Sequence, residues 1–137
     1  MRMNRKIIAA ASIIAIAAIV ISVTSDSALD ESTISQTIFV DAVYEPKNKI
    51  VRITYNDNSE MTNLIILEVL GMEKTFHKEF SQSSLVETIE INFEPKYGWS
   101  TTPVVFSINH DEFGKIELKT EIYEQGESKP RIIYSKI

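Results

Sequence analysis

The sequence predicts an all-β fold, a sandwich of seven antiparallel strands, preceded by one hydrophobic N-terminal helix. Three observations predict it. Beyond residue 36 the apolar residues alternate with a period of two, and no stretch sustains a helical period. The alternating runs are short and are separated by turn-forming residues. Residues 7–23, in contrast, carry no charge and are nearly all Ile, Ala or Val.

The apolar run comes first along the chain. At about 1.5 Å per residue it makes roughly 25 Å of helix, slightly short of the ~30 Å hydrocarbon core of a bilayer. Two readings fit it. A cleavable signal peptide explains the basic start and the small residues Val23 to Ser27, and a retained anchor explains the length of the run and the poor cleavage site. In both, Arg2, Arg5 and Lys6 hold the N-terminus in the cytoplasm and place the remainder outside. The expected organisation is a cytoplasmic n-region at 1–6, an anchor or signal segment at 7–23, a flexible Ser/Thr-rich linker at 24–36 and an extracytoplasmic domain at 37–137.

The strands follow in order. Thr37–Glu45 turns Val40, Ala42 and Tyr44 to one face and stops at Pro46. Ile50–Asn56 does the same with Val51, Ile53 and Tyr55, then meets the polar turn Asn56–Ser59. Asn63–Leu70 is almost continuously apolar, as a central strand covered on both faces would be, and ends at Gly71. Lys74–Phe80 reads as a sheet edge whose Lys78 discourages pairing with another chain. Leu85–Phe93 directs Ile89, Ile91 and Phe93 inward. Pro103–His110 does so with Val104, Phe106 and Ile108. Past the turn at 111–114, Lys115–Glu124 directs Ile116, Leu118 and Ile122 inward. Ile132, Ile133 and Tyr134 offer an extra edge strand.

Seven strands in this layout resemble an immunoglobulin-like or fibronectin type III-like domain over residues 37 to 126. The chain has no cysteine, so the Cys…Trp…Cys pattern of immunoglobulin domains proper is missing. A hydrophobic helix followed by a β-rich head also resembles pilin-like and archaellin-like subunits in outline. The layout is similar, too, to anchored accessory subunits of archaeal surface appendages.

Composition excludes several functions. Without cysteine there are no disulfides, thiolate metal sites or cysteine nucleophiles. Downstream of the apolar run eleven basic residues face 19 acidic ones, a net of −8, which argues against nucleic acid as a partner. Four glycines and no Gly-x-Ser-x-Gly turn leave no phosphate-cradling loop or serine-hydrolase elbow. No catalytic residue, cofactor or metal is expected. His77 and His110 read as solvent-exposed imidazoles. The acidic turns 56–60 and 109–112 lie at one pole of such a sandwich, where a calcium ion between them is conceivable, although Asn, Asp and Ser are ordinary turn formers.

The resemblance also implies that the chain enters at that acidic pole. The opposite pole then carries Lys47, Lys49, Met72, Lys74, Lys96, Tyr97 and Trp99, a basic and aromatic end. Lys47, Lys49, Lys74, Lys96, Tyr97 and Trp99 are the candidate partner-binding residues; the alternative is that Tyr97 and Trp99 plug the core. The expected function is a non-enzymatic, membrane-anchored, extracytoplasmic binding or structural module of the cell envelope. Its expected partner is another envelope or surface-layer protein. The alternative is a secreted or pilin/archaellin-like filament subunit, released or assembled after processing.

Overall fold

The period-two stretches form strands, because alternation gives each segment one apolar face that only a facing sheet can cover. The structure is a computed structural model that describes residues 30–137. In chain order it has a short helix α1 (Glu31–Thr37), then β1 (Ile38–Glu45), β2 (Ile50–Asp57), β3 (Thr62–Val69), β4 (Phe76–Phe80) and β5 (Ser84–Glu90). A single 3₁₀ turn (Trp99–Thr101) leads to β6 (Pro103–His110), β7 (Gly114–Glu121), β8 (Tyr123–Glu124) and β9 (Ile133–Lys136). The expected membrane segment at 7–23 lies outside the described residues. Among those described, no helix is long and apolar enough to cross a membrane.

The strands form two sheets, one ordered β5-β2-β1-β8 and the other β4-β3-β6-β7-β9. All pairings are antiparallel except β1 with β8. Two facing sheets of this kind are consistent with an immunoglobulin-like sandwich at the level of the fold. The fourth strand pairs with the third, rather than joining the sheet of the first two as in constant-type immunoglobulin domains. The lateral edge between β4 and β5 is bridged by Lys78, whose Nζ lies 3.3 Å from Glu87.

The core is the set of inward residues that the alternation names. Val40, Ala42 and Tyr44 of β1 and Val51, Ile53 and Tyr55 of β2 face Ile65, Leu67, Val69, Val104, Phe106, Ile108, Ile116 and Leu118, and all are buried. Each large side chain so buried contributes about 1.5–3 kcal/mol over its exposed state. The Tyr55 and Phe106 rings meet across the sheets with centroids 6.0 Å apart.

Several expectations need correction. The described residues form nine strands, not seven. The expected strand Lys115–Glu124 changes partner at the buried Ile122, whose N–H bonds the Thr102 carbonyl at 3.4 Å. Before that point it pairs with β6; beyond it β8 runs parallel to β1 on the other sheet, and the Tyr123 hydroxyl donates to Asp41 at 2.9 Å. The final apolar patch supplies β9 at the edge of β7.

The linker expected to run to residue 36 ends instead in α1. Seven residues are too few for a helix to stand alone in water, so packing must hold it. Ile34, only 1% exposed, supplies that packing, and Glu31 sits in the first turn, where the helix dipole favours an acid. The continuous apolar run of β3 does not reflect cover on both faces either: Leu64 and Ile66 point outward and remain half-exposed. Finally, β5 stops at Glu90, so Phe93 does not point inward and is 79% exposed.

Candidate functional site

The antiparallel hairpins put alternate connections at opposite poles, and each pole carries a distinct constellation. At the first pole the chain enters the sandwich: the Asn58 N–H bonds the Thr37 carbonyl at 2.9 Å, which sets the start of β1 beside the β2–β3 turn. The β6–β7 turn lies against the same place. Asp111 N–H bonds the Met61 carbonyl at 3.0 Å, and the Asn63 side-chain amide donates to Asp111 at 2.6 Å. The two acidic turns thus share one pole.

What joins them is a buried polar clasp. Asp57 ends β2 and His110 ends β6, and both side chains are 0% exposed, which corrects the expectation of a solvent-exposed His110. The physical reason is parity. Asp57 continues the inward series Val51, Ile53, Tyr55, and His110 continues Val104, Phe106, Ile108. His77 does lie on the outer side, half-exposed, with Nδ1 3.9 Å from Glu68.

Asp57 satisfies the burial of its charge with five donors. Oδ1 accepts from the Ser59 N–H at 2.9 Å and the Ser59 hydroxyl at 2.6 Å. Oδ2 accepts from the Met61 N–H at 3.1 Å, the Thr62 hydroxyl at 2.7 Å and His110 Nε2 at 2.9 Å. The tautomer of His110 follows from its other side. Nδ1 faces the N–H groups of Glu112 at 3.1 Å and Phe113 at 3.2 Å, so it is an acceptor and the ring proton sits on Nε2. The Phe113 ring stacks on the imidazole with centroids 4.5 Å apart.

A serine, a histidine and an aspartate in mutual contact suggest a hydrolytic triad, but the geometry differs. A triad needs the two ring nitrogens to face serine and aspartate separately. Here Nε2 faces both, with Ser59 Oγ at 3.2 Å, Nδ1 is held by the backbone, and the serine hydroxyl donates to the carboxylate instead of the ring. The calcium arrangement considered for these turns meets the same obstacle, since donors already occupy the Asp57 oxygens. Among the described residues no group of three or more His, Asp or Glu is placed to hold a metal.

The clasp gives the domain an acid-side limit. Burial is the strongest single influence on Asp57 and pushes its pKa up. The hydroxyls of Ser59 and Thr62 and the Ser59 N–H together outweigh it, and the carboxyl ends below the ordinary aspartate value of about 3.9. A folded value below the unfolded one contributes stability in full above the unfolded pKa and loses it as pH falls through the folded one. The unfolding free energy is therefore expected to be level near neutrality and to drop on acidification below about pH 4. Asp57→Asn should start less stable at neutral pH and show a shallower acid decline in urea titrations. An undiminished decline would rule out Asp57 as its source.

The second pole holds an open cleft of about 700 Å³ between the β3–β4 connection and the β5–β6 connection. Backbone contacts fix both walls. Gly71 adopts φ +78°, and a Cβ there would run into the Thr101 carbonyl oxygen, so only glycine allows the β3–β4 connection to touch the 3₁₀ turn. Leu70 N–H bonds the Pro103 carbonyl at 3.0 Å, and Ile91 N–H bonds the Lys49 carbonyl at 2.9 Å, which fastens the β5–β6 connection to the β1–β2 turn.

Trp99 is half-buried. One side of its ring packs on Tyr44, with centroids 4.6 Å apart, and the residue also lines the cleft. It thus closes the end of the core and keeps part of its surface available. Burial, and next to it the Glu94 carboxylate, hold the Tyr44 hydroxyl above its ordinary pKa.

Of the six predicted partner-binding residues, the structure brings Lys74, Lys96 and Trp99 together in the cleft. Tyr97, 77% exposed, stands on the same connection, with the Lys96 ammonium 5.5 Å from its ring centroid. Lys47 and Lys49 are exposed on the β1–β2 turn and do not line the cleft. Sequence reasoning missed Phe93 and three carboxylates, Glu73, Glu90 and Glu94. With three acids against two lysines the lining is mixed rather than basic. Pro95, two residues after Phe93, was the available sign that the strand does not extend that far. Comparison with family models, with curated proteins and with solved structures finds no match.

Proposed function

We propose that the protein is a non-enzymatic, extracytoplasmic binding module of the cell envelope. Residues 7–23 tether it to the membrane as a single-pass helix with a cytoplasmic N-terminus, and the partner is an envelope or surface-layer component. The observation that supports this reading best is the position of the cleft. It lies at the pole opposite the start of β1, and that pole carries the exposed Phe93 and Tyr97 and the half-buried Trp99. Exposed Trp and Tyr are favoured where a surface contacts a partner. The apolar run and the basic residues before it support the tether and its orientation.

The test is fractionation of cells followed by intact mass of the mature chain, with cross-linking through Lys74 and Lys96. The reading expects the full-length mass in the membrane pool and cross-links to an envelope component. Loss of residues up to about Ser25, with recovery from the soluble pool, would instead favour a secreted or filament-forming subunit.

A further inference from the structure

We infer that the cleft at the second pole is a binding site for a neutral oligosaccharide. The inference rests on the proposed role as a surface binding module and names the ligand class its cleft would take. Three features of the cleft select that class.

First, sugar hydroxyls donate and accept at once, and a lining that satisfies them must offer both kinds of partner. The carboxylates of Glu73, Glu90 and Glu94 accept, Lys74 and Lys96 donate, and the amide of Asn92 does both. A polyanion would meet three carboxylates against two ammonium groups, and an acyl chain would have to strip water from all five charges.

Second, the apolar part of the site includes the aromatic rings of Phe76, Phe93 and Trp99 beside aliphatic side chains. A pyranose presents a face of C–H groups that packs on a ring. Phe93 stands 79% exposed on one wall, and Trp99 presents the ring surface that Tyr44 leaves uncovered. Third, the walls are pre-set. The Gly71–Thr101 approach and the Ile91–Lys49 hydrogen bond hold both connections, so a ligand need not order them on binding. The volume, about 700 Å³, falls within the range of small-ligand sites and leaves room for a short run of sugar rings.

Trp99 is the only tryptophan in the chain, so its fluorescence reports on this cleft alone. The full chain, held in a sugar-free zwitterionic detergent, is titrated with cellotetraose, maltotetraose, mannotetraose and chitotetraose into the millimolar range. A saturable change in Trp99 emission is expected with at least one of them. Phe93→Ala should weaken it about tenfold or more while leaving the melting temperature unchanged, because Phe93 is exposed. Silence across the whole panel overturns the inference, and so does an equal response from Phe93→Ala. A response to enzymatically deglycosylated envelope protein in place of the sugars assigns the cleft to polypeptide and overturns it too. Cross-linking to an envelope component without any sugar response would remove this inference and leave the surface-module reading standing.

Discussion

Replacing His110 by alanine is expected to lower the unfolding free energy by about 3–5 kcal/mol, because it takes the neutral imidazole out of a fully buried hydrogen-bonded pair and leaves its partners unsatisfied. Three losses add up at one point. The Asp57 carboxylate gives up its Nε2–H donor, the N–H groups of Glu112 and Phe113 give up their acceptor, and the Phe113 ring loses the imidazole beneath it. An unsatisfied buried group costs about 1–3 kcal/mol on its own. Ser59→Ala should cost less, near 1 kcal/mol, since Asp57 keeps its bonds from Met61, Thr62 and His110. At roughly 4–8 °C per kcal/mol for a domain of this size, the His110 variant should melt at least about 12 °C lower. Calorimetry of both variants at neutral pH checks the pair. If His110→Ala lost no more than Ser59→Ala, the clasp would not be what secures this pole.

That clasp was legible in the sequence, although the alternation has to be followed to its end to see it. Asp57 falls on the inward parity of Val51, Ile53 and Tyr55, and His110 on that of Val104, Phe106 and Ile108. Two polar residues therefore end inward series on strands of facing sheets. A buried acid and a buried imidazole at one pole must find each other or remain unsatisfied, so parity alone argues for the pair. Reading both as ordinary turn residues hid this.

The partner switch at Ile122 had no such signal. Thr120 and Ile122 keep the inward period through the point where the chain leaves one sheet for the other, and period reports facing, not pairing. The helix α1 was equally silent, because one apolar residue in a Ser/Thr-rich stretch carries no periodicity and its helix is a product of docking Ile34. At the cleft, hairpin alternation was enough to send Lys74, Lys96 and Trp99 to the same pole. It could not fix where β5 stops, so the period alone carries Phe93 into the core.

Phe106→Ala tests the interior itself, and the expected loss is about 3–5 kcal/mol. The ring is fully buried on a central strand of the five-stranded sheet, between Leu67 of β3 and Leu118 of β7, and its face meets Tyr55 of the opposite sheet. Truncation removes the transfer free energy of the ring, leaves a cavity that close-packed strands cannot collapse into, and forfeits the aromatic pair, itself worth about 0.5–1.5 kcal/mol. Phe106→Leu retains most of the volume and should cost roughly half as much or less. Chemical denaturation of the two variants separates the cavity contribution from the loss of apolar area. The comparison reaches the first pole as well, since the Tyr55 hydroxyl bonds the Thr62 hydroxyl at 2.8 Å and that hydroxyl bonds Asp57 at 2.7 Å. Were the ring and the clasp independent, the Phe106→Leu and Ser59→Ala losses would add to within about 0.5 kcal/mol. We expect a departure larger than that, because a Tyr55 ring that shifts into the vacated space carries its hydroxyl away from Thr62 and loosens the chain of bonds ending on Asp57. Strict additivity would mean that the two sheets are held by their packed rings and the entry pole by its polar clasp, with nothing passing between them.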